Sequence, residues 1–269
     1  MKYVRLMGGL GNQMFQYAFG VLLGKNTVYD TSWFNEVKNV PTATQREYEL
    51  NFWNINPKLT DKPKKKIFGF FKIKKYYEKP ENIYNPDLLK LNNCVIEGYF
   101  QVAQYYESIR DRLLKDFTPR NTPNTKNKKM LDLINSVNAV SIHVRRGDYV
   151  KLQHVHGLCD LDYYKKSVQH IAKNVKHPYF FIFSDDIQWV KDNLKIDFPC
   201  EFIDFNHGRD SAWDMWLMAN CKHNIIANSS FSWWGAWLNQ NSDKIVIAPK
   251  QWFTNGTKTD IISTNWQRM

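Results

Sequence analysis

The sequence predicts an α/β protein built on parallel sheets and split into two parts. Three observations carry that prediction. The chain opens with a β-loop-α-β pattern: an apolar strand at Tyr3–Met7, a glycine loop, a helix, and a second strand from Thr27 to Tyr29. From Val140 to Ala248 strand and helix patterns alternate with short connections, as in a doubly wound parallel sheet. Between these stretches, Thr118–Lys129 (TPRNTPNTKNKK) carries two prolines and no apolar side chain, which is linker chemistry. The predicted parts are residues 1–120 and 130–269.

The elements follow in order. Gly8-Gly9-Leu10-Gly11-Asn12 makes the first loop, where glycine lets backbone approach another group closely. It is neither Gly-x-Gly-x-x-Gly nor a Walker A loop. Phe15, Ala18, Phe19, Leu22 and Leu23 recur at helical spacing, and Gly24 stops the helix. Residues 58–80 break the pattern, with lysines interleaved among Phe68, Phe70, Phe71, Tyr76 and Tyr77. This basic, aromatic insertion reads as a solvated loop or surface helix, as a patch for an anionic membrane surface, or as a single-stranded nucleic-acid platform. Val95–Phe100 reads as a strand and Ala103–Leu114 as a helix. The second half gives strands at Val140–Val144, Tyr179–Phe183, Glu201–Phe205, Asn224–Ala227 and Lys244–Ala248. Helices fall between them at Leu161–Lys173, Ile187–Leu194, Asp210–Asn220 and Phe231–Leu238.

Bulk properties narrow the partner. A formal charge of +11 points to an anion: a nucleotide, a nucleic acid or an anionic membrane. Ten tryptophans within a 15% aromatic content exclude a disordered, purely electrostatic binder. Cys94, Cys159, Cys200 and Cys221 are far apart and read as separate reduced thiols of a cytoplasmic protein. The apolar stretch Met14–Leu23 is too short for a membrane span and lacks a cleavage site. A soluble or peripheral protein is expected, placed in the cytoplasm or on the inner face of its membrane.

Three predicted strand ends carry chemistry to one edge of the second sheet. His143-Val144-Arg145-Arg146-Gly147-Asp148 delivers two guanidiniums, an imidazole and a carboxylate. Paired arginines suit phosphate oxygens. Asn228-Ser229-Ser230-Phe231-Ser232 opens a helix, whose N-terminus either binds phosphate or is simply capped. Ser184-Asp185-Asp186 reads as a helix cap, as a base-reading carboxylate or as part of a metal site.

Taken together, four segments resemble the bacterial α-1,2-fucosyltransferases of glycosyltransferase family 11. They are Gly8–Gly20, His143–Tyr149, Ser184–Asp186 and Ser229–Ala236, in the expected order. The resemblance implies a GT-B-like fold of two Rossmann-like halves, with the donor site in the cleft between them. It implies an acceptor-side first half and a second half that binds GDP-fucose. The implied reaction moves L-fucose from GDP-β-L-fucose to the 2-OH of a galactose in a glycan, with inversion and no obligatory metal. Arg145 matches the arginine that clamps the donor diphosphate. His143 and one of Asp185 or Asp186 match positions near the nucleoside. Ser229–Ser232 match the phosphate-side helix start, and Asn12 matches a loop residue near the diphosphate or fucose.

The expected donor-binding set is therefore Gly11, Asn12, His143, Arg145, Arg146, Ser184, Asp185, Asp186, Asn228, Ser229, Ser230, Phe231 and Ser232. Arg145 is also expected to be catalytic. For the proton acceptor, Asp148 competes with His154, His156 and Asp160 of the following loop, and Asp148 and His156 lead. The expected partners are GDP-fucose, a galactose-terminated glycan acceptor (a surface polysaccharide or oligosaccharide, free or lipid-linked), and peripherally an anionic membrane, without nucleic acid. The competing expectations are a fucosyltransferase of another linkage or acceptor, and a basic nucleotide- or nucleic-acid-binding protein without catalysis.

Overall fold

The structure is a computed structural model, and it describes residues 1–38, 40, 44–63, 66–67, 71–147 and 157–269. The chain forms two compact units. One comprises Met1–Arg120 with Lys258–Ser263, the other Asn121–Thr257 with Thr264–Met269.

The first unit contains β1 (Lys2–Arg5), α1 (Leu10–Leu23), β2 (Thr27–Asp30), α2 (Ser32–Val37), β3 (Leu59–Thr60), the antiparallel pair β4 (Lys66–Ile67) and β5 (Phe71–Lys72), β6 (Lys74–Tyr77), β7 (Cys94–Glu97) and α3 (Arg110–Asp116). Its five-stranded sheet has the order β3-β2-β1-β7-β6, parallel throughout. β1 is central because Tyr3 and Val4 are buried on both faces of the sheet. α1 lies against β2 with Gly20 on the Tyr29 ring, where a Cβ has no room. Phe19 of α1 stacks on Phe100, with ring centroids 3.9 Å apart.

The lysine-rich insertion is not a plain loop or helix. Strands β3 and β6 bracket it and lie at opposite edges of the sheet. Lys74, Lys75 and Tyr77 are exposed on β6, and lysines are common on edge strands because they oppose pairing with another chain. Phe68 and Phe70 lie outside the described residues.

In the second unit come α4 (Thr125–Ser136), β8 (Asn138–Val144), α5 (Leu161–Asn174), β9 (Pro178–Ser184), α6 (Ile187–Asn193), β10 (Cys200–Ile203), α7 (Ala212–Asn220), β11 (His223–Ile225), α8 (Ser230–Leu238), β12 (Val246–Ala248) and β13 (Gln267–Arg268). The order is β10-β9-β8-β11-β12-β13, again all parallel. The linker reading of Thr118–Lys129 is corrected here: helix α4 begins at Thr125 and is capped by Asn124, whose side chain accepts from Asn127 N. Its first turns are polar, and its apolar contacts, Met130 and Ile134, come only later.

Alternation along β8 and β9 feeds two cores. Ala139, Phe181 and Phe183 pack with Met130, Leu217 and Met218 of α4 and α7. Val140, Ile142, Val144, Phe180 and Ile182 pack with Tyr164, Val168 and Ile171 of α5 and Val190 of α6. Strand order in this unit reverses at β8 and β11, since β9 and β10 lie to one side and β12 and β13 to the other. In such sheets ligands bind outside the carboxyl ends of the strands at the reversal.

Candidate active site

β8 and β11 present their carboxyl ends at that reversal, and β9 ends beside β8, with Val144 in register with Ser184. His143 is buried, with its ring centroid 5.7 Å from that of Phe231 at the start of α8. Burial, helped by the charge of Arg145, pushes its imidazole down to about 3, so the ring is neutral. Its buried Nδ1 has no hydrogen-bond partner among the described residues. The Tyr164 hydroxyl fixes the His143 backbone by donating to its carbonyl.

The two arginines are held differently. Arg145 Nη1 pairs with Asp185 Oδ2 at 2.9 Å. The backbone N–H of Arg146 donates to Asp185 Oδ1, also at 2.9 Å. Asp185 therefore grips the Arg145–Arg146 turn with both oxygens. Gly147 completes that turn, and a Cβ there would strike the Asp185 carboxylate. Arg146 Nε pairs with Asp186 Oδ2 at 3.1 Å, and its guanidinium lies 3.5 Å above the Trp189 ring. Asp186 caps α6 by accepting from Trp189 N, and Ser184 Oγ accepts from Asp186 N. Arg146 is thus a stacked, paired support, and Arg145 is oriented by its ion pair with Asp185.

After β11, Ser229 caps α8, its Oγ accepting from Phe231 N at 3.3 Å. Ser230 and Phe231 form the first turn, and Ser232 is buried, donating to Ala227 O and Ser229 O. Asn228 donates to Trp252 O and Gly157 O and accepts from Cys159 Sγ, which ties the loop before α8 to two neighbouring segments. The nine-residue helix has the positive end of its dipole at Ser230, just past the carboxyl end of β11. Asp160 caps α5 by accepting from Tyr163 N, and with Asn228, Lys250 and Thr254 it lines a cavity of about 240 Å³.

The second unit thus brings together His143, Arg145, Arg146, Ser184, Asp185, Asp186 and Asn228–Ser232. Gly11 and Asn12 belong to the first unit, in the first turn of α1, where Asn12 Oδ1 accepts from Gln101 Nε2 at 2.8 Å. Asp148, His154 and His156 lie outside the described residues. Among the described residues no group of three or more His, Cys, Asp or Glu could hold a metal ion.

Sequence reasoning missed Asp214, in the first turn of α7. Its carboxylate accepts from Asn206 Nδ2 at 2.7 Å, and Asn206 is itself paired with Asn127. Burial with one neutral partner pushes this carboxyl up to about 7. Read from the sequence it is an ordinary helix-start acid, and only packing reveals it. Because the folded-state pKa is raised, the folded protein favours the protonated form. The contribution is complete below the unfolded value near 4 and is lost as pH rises toward 7. Asp214→Asn keeps an acceptor for Asn206 and removes the titration. Its Tm relative to wild type is expected to be flat near pH 4 and to climb by pH 8, read by calorimetry. A difference independent of pH contradicts the burial argument.

Comparison with known proteins adds the following. The family model described as Glycosyl transferase family 11 matches residues 1–269. An Escherichia coli O-antigen biosynthesis glycosyltransferase, WbnK, is 34% identical over 98% of this chain and 99% of its own. An Escherichia coli alpha-1,2-colitosyltransferase is 36% identical over 93% of this chain and 91% of its own. Among solved structures, a mutant of Arabidopsis thaliana FUT1 in complex with GDP superposes with a TM-score of 0.50 at 10% identity, covering 92% of this chain and 70% of that one. That last likeness is one of fold.

Proposed function

The chain belongs to glycosyltransferase family 11, and on that premise we propose that it moves L-fucose from GDP-β-L-fucose to the 2-hydroxyl of a galactose in a glycan, with inversion. One observation carries the reading: Arg145, oriented by Asp185, follows β8, and α8 starts after β11, the strand next to β8 at the reversal, with His143 of β8 against Phe231 of α8. Fucosyl transfer requires the diphosphate to leave with its growing charge compensated. A guanidinium and a helix terminus fixed in advance supply that compensation, and catalysis follows because they are stronger partners for the leaving group than for the bound donor.

The remaining roles follow from the same geometry. Neutral His143 and Asp186 are proposed to face the nucleoside, Arg146 to hold the arginine turn, and Gly11 and Asn12 to contact the donor. Asp148 or His156 is proposed as the proton acceptor for the galactose hydroxyl. The likeness to an O-antigen biosynthesis enzyme supports a surface polysaccharide as acceptor. The exposed Lys74, Lys75 and Tyr77 of β6 support peripheral contact with an anionic membrane. Among the described residues no helix is long and apolar enough to cross one.

A second reading concerns the donor sugar, because one relative is named a colitosyltransferase. Colitose is fucose without its 3-hydroxyl. A site that hydrogen-bonds this hydroxyl rejects the deoxy sugar strongly, since buried partners would be left unpaired. GDP-fucose and GDP-colitose are to be compared with one galactoside acceptor, with a chelator present throughout. The expected outcome is turnover in chelator and a kcat/KM preference for GDP-fucose of about a hundredfold or more. A preference for GDP-colitose would transfer the chain to the second reading, and no turnover with either would overturn both.

A further inference from the structure

We propose that Gln101 is a positioning residue, fixing the side-chain amide of Asn12 so that its N–H edge serves the donor. The proposal rests on the reading of Asn12 as a donor contact. In the first unit the strand order reverses at β1 and β7, because β2 and β3 lie to one side and β6 to the other. Gly8–Asn12 leaves β1 at that point, and Gly98–Gln101 leaves β7. A hydrogen bond between side chains joins the two loops, Gln101 Nε2 to Asn12 Oδ1.

A primary amide has two unlike ends, an acceptor oxygen and a donor nitrogen. Once Gln101 donates to the oxygen, the direction of the nitrogen is set. Asn12 Nδ2 then lies over Gly8, whose φ is +75°, at a place where a Cβ at that position would collide with it. The donor end of Asn12 is thus turned along the glycine loop.

Gln101 is itself held firmly and is only 8% exposed. The carboxylate of Glu78, buried at the end of β6, accepts from Tyr99 N and Phe100 N with one oxygen and from Asn82 N with the other, at 2.8–3.0 Å. Phe100 takes a left-handed φ of +53°, unusual for an aromatic residue. Its ring stacks on Phe19, and its carbonyl accepts from the Tyr106 hydroxyl. Backbone held in such a conformation persists only where its surroundings determine it, and such positions cluster where a ligand is gripped. The anchored loop ends in a side chain whose donor meets the glycine loop at Asn12.

The test is a double-mutant cycle with GDP-fucose, read as kcat and KM for the donor, with Tm as a check on folding. Gln101→Met keeps the shape and removes the donor. It is expected to lower kcat/KM about tenfold, as is Asn12→Ala. In the Asn12→Ala background, Gln101→Met is expected to change kcat/KM by less than about twofold, since both act through one amide. Gln101→Glu can only accept, so it turns the Asn12 amide round and is expected to cost more than Gln101→Met. Losses that multiply in the double variant, or a Gln101→Met enzyme equal to wild type beside an impaired Asn12→Ala, overturn the inference and leave the donor reading standing. An Asn12→Ala enzyme equal to wild type, or a wild-type enzyme inactive on GDP-fucose, overturns the donor reading and the inference together.

Discussion

Arg145→Ala is expected to lower kcat/KM for the donor by about 10²–10³-fold, or about 3–4 kcal/mol of transition-state stabilisation, as for loss of one preorganised donor to developing charge. The loss should fall mainly on kcat, because the charge to be compensated grows as the glycosidic bond breaks. Tm should change little. Asp185 still accepts from Arg146 N in the variant, and Arg146 keeps its pair with Asp186, so the turn stays tied. Arg146→Ala should behave otherwise. It removes the pair with Asp186 and the stack on Trp189, so its cost should appear in Tm as well as in activity. Steady-state kinetics and calorimetry on the two variants separate the roles. Arg145→Ala with near-normal kcat would contradict the assignment.

Trp234→Ala is expected to destabilise the protein by about 3–5 kcal/mol, the usual cost of emptying a large aromatic site in a core. Trp234 is fully buried and meets Trp233 and Trp237 edge to face at 5.1 and 5.2 Å. The next residue, Gly235, brings α8 close to α7, and a Cβ there would lie 2.9 Å from Met218 Cβ. The neighbourhood cannot collapse around the void without moving α8, whose first turn is the proposed phosphate site. Loss of stability and loss of donor affinity should therefore come together, with Tm lower by roughly 10 °C. A Tm within about a degree of wild type would show that the tryptophan cluster is not what anchors α8.

Much of the second unit was legible because its central strands are short apolar runs and its site residues follow them directly. His143, Arg145, Asp185 and Ser229 sit at strand ends, which a parallel sheet carries to one edge. The order itself was not legible, and it puts β8 beside β11 and so makes the site. The resemblance singled out Arg145, but what holds Arg146 was not legible, since its stacking partner is Trp189 on another element. In the first unit, lysines hid the edge strands β3 and β6. Polar first turns hid α4, because its apolar face starts late. Asp214 and Gln101 carried no local signal: one is defined by burial among asparagines, the other by a hydrogen bond across two loops.

The most direct test of the central claim is the structure of the product. Purified enzyme should be incubated with ¹³C-labelled GDP-β-L-fucose and a galactose-terminated oligosaccharide, and the product read by NMR. The account predicts a single α-linked fucose whose anomeric proton correlates with C2 of the galactose. A β-anomer, a linkage to another carbon, or release of free fucose with no glycan product would contradict it.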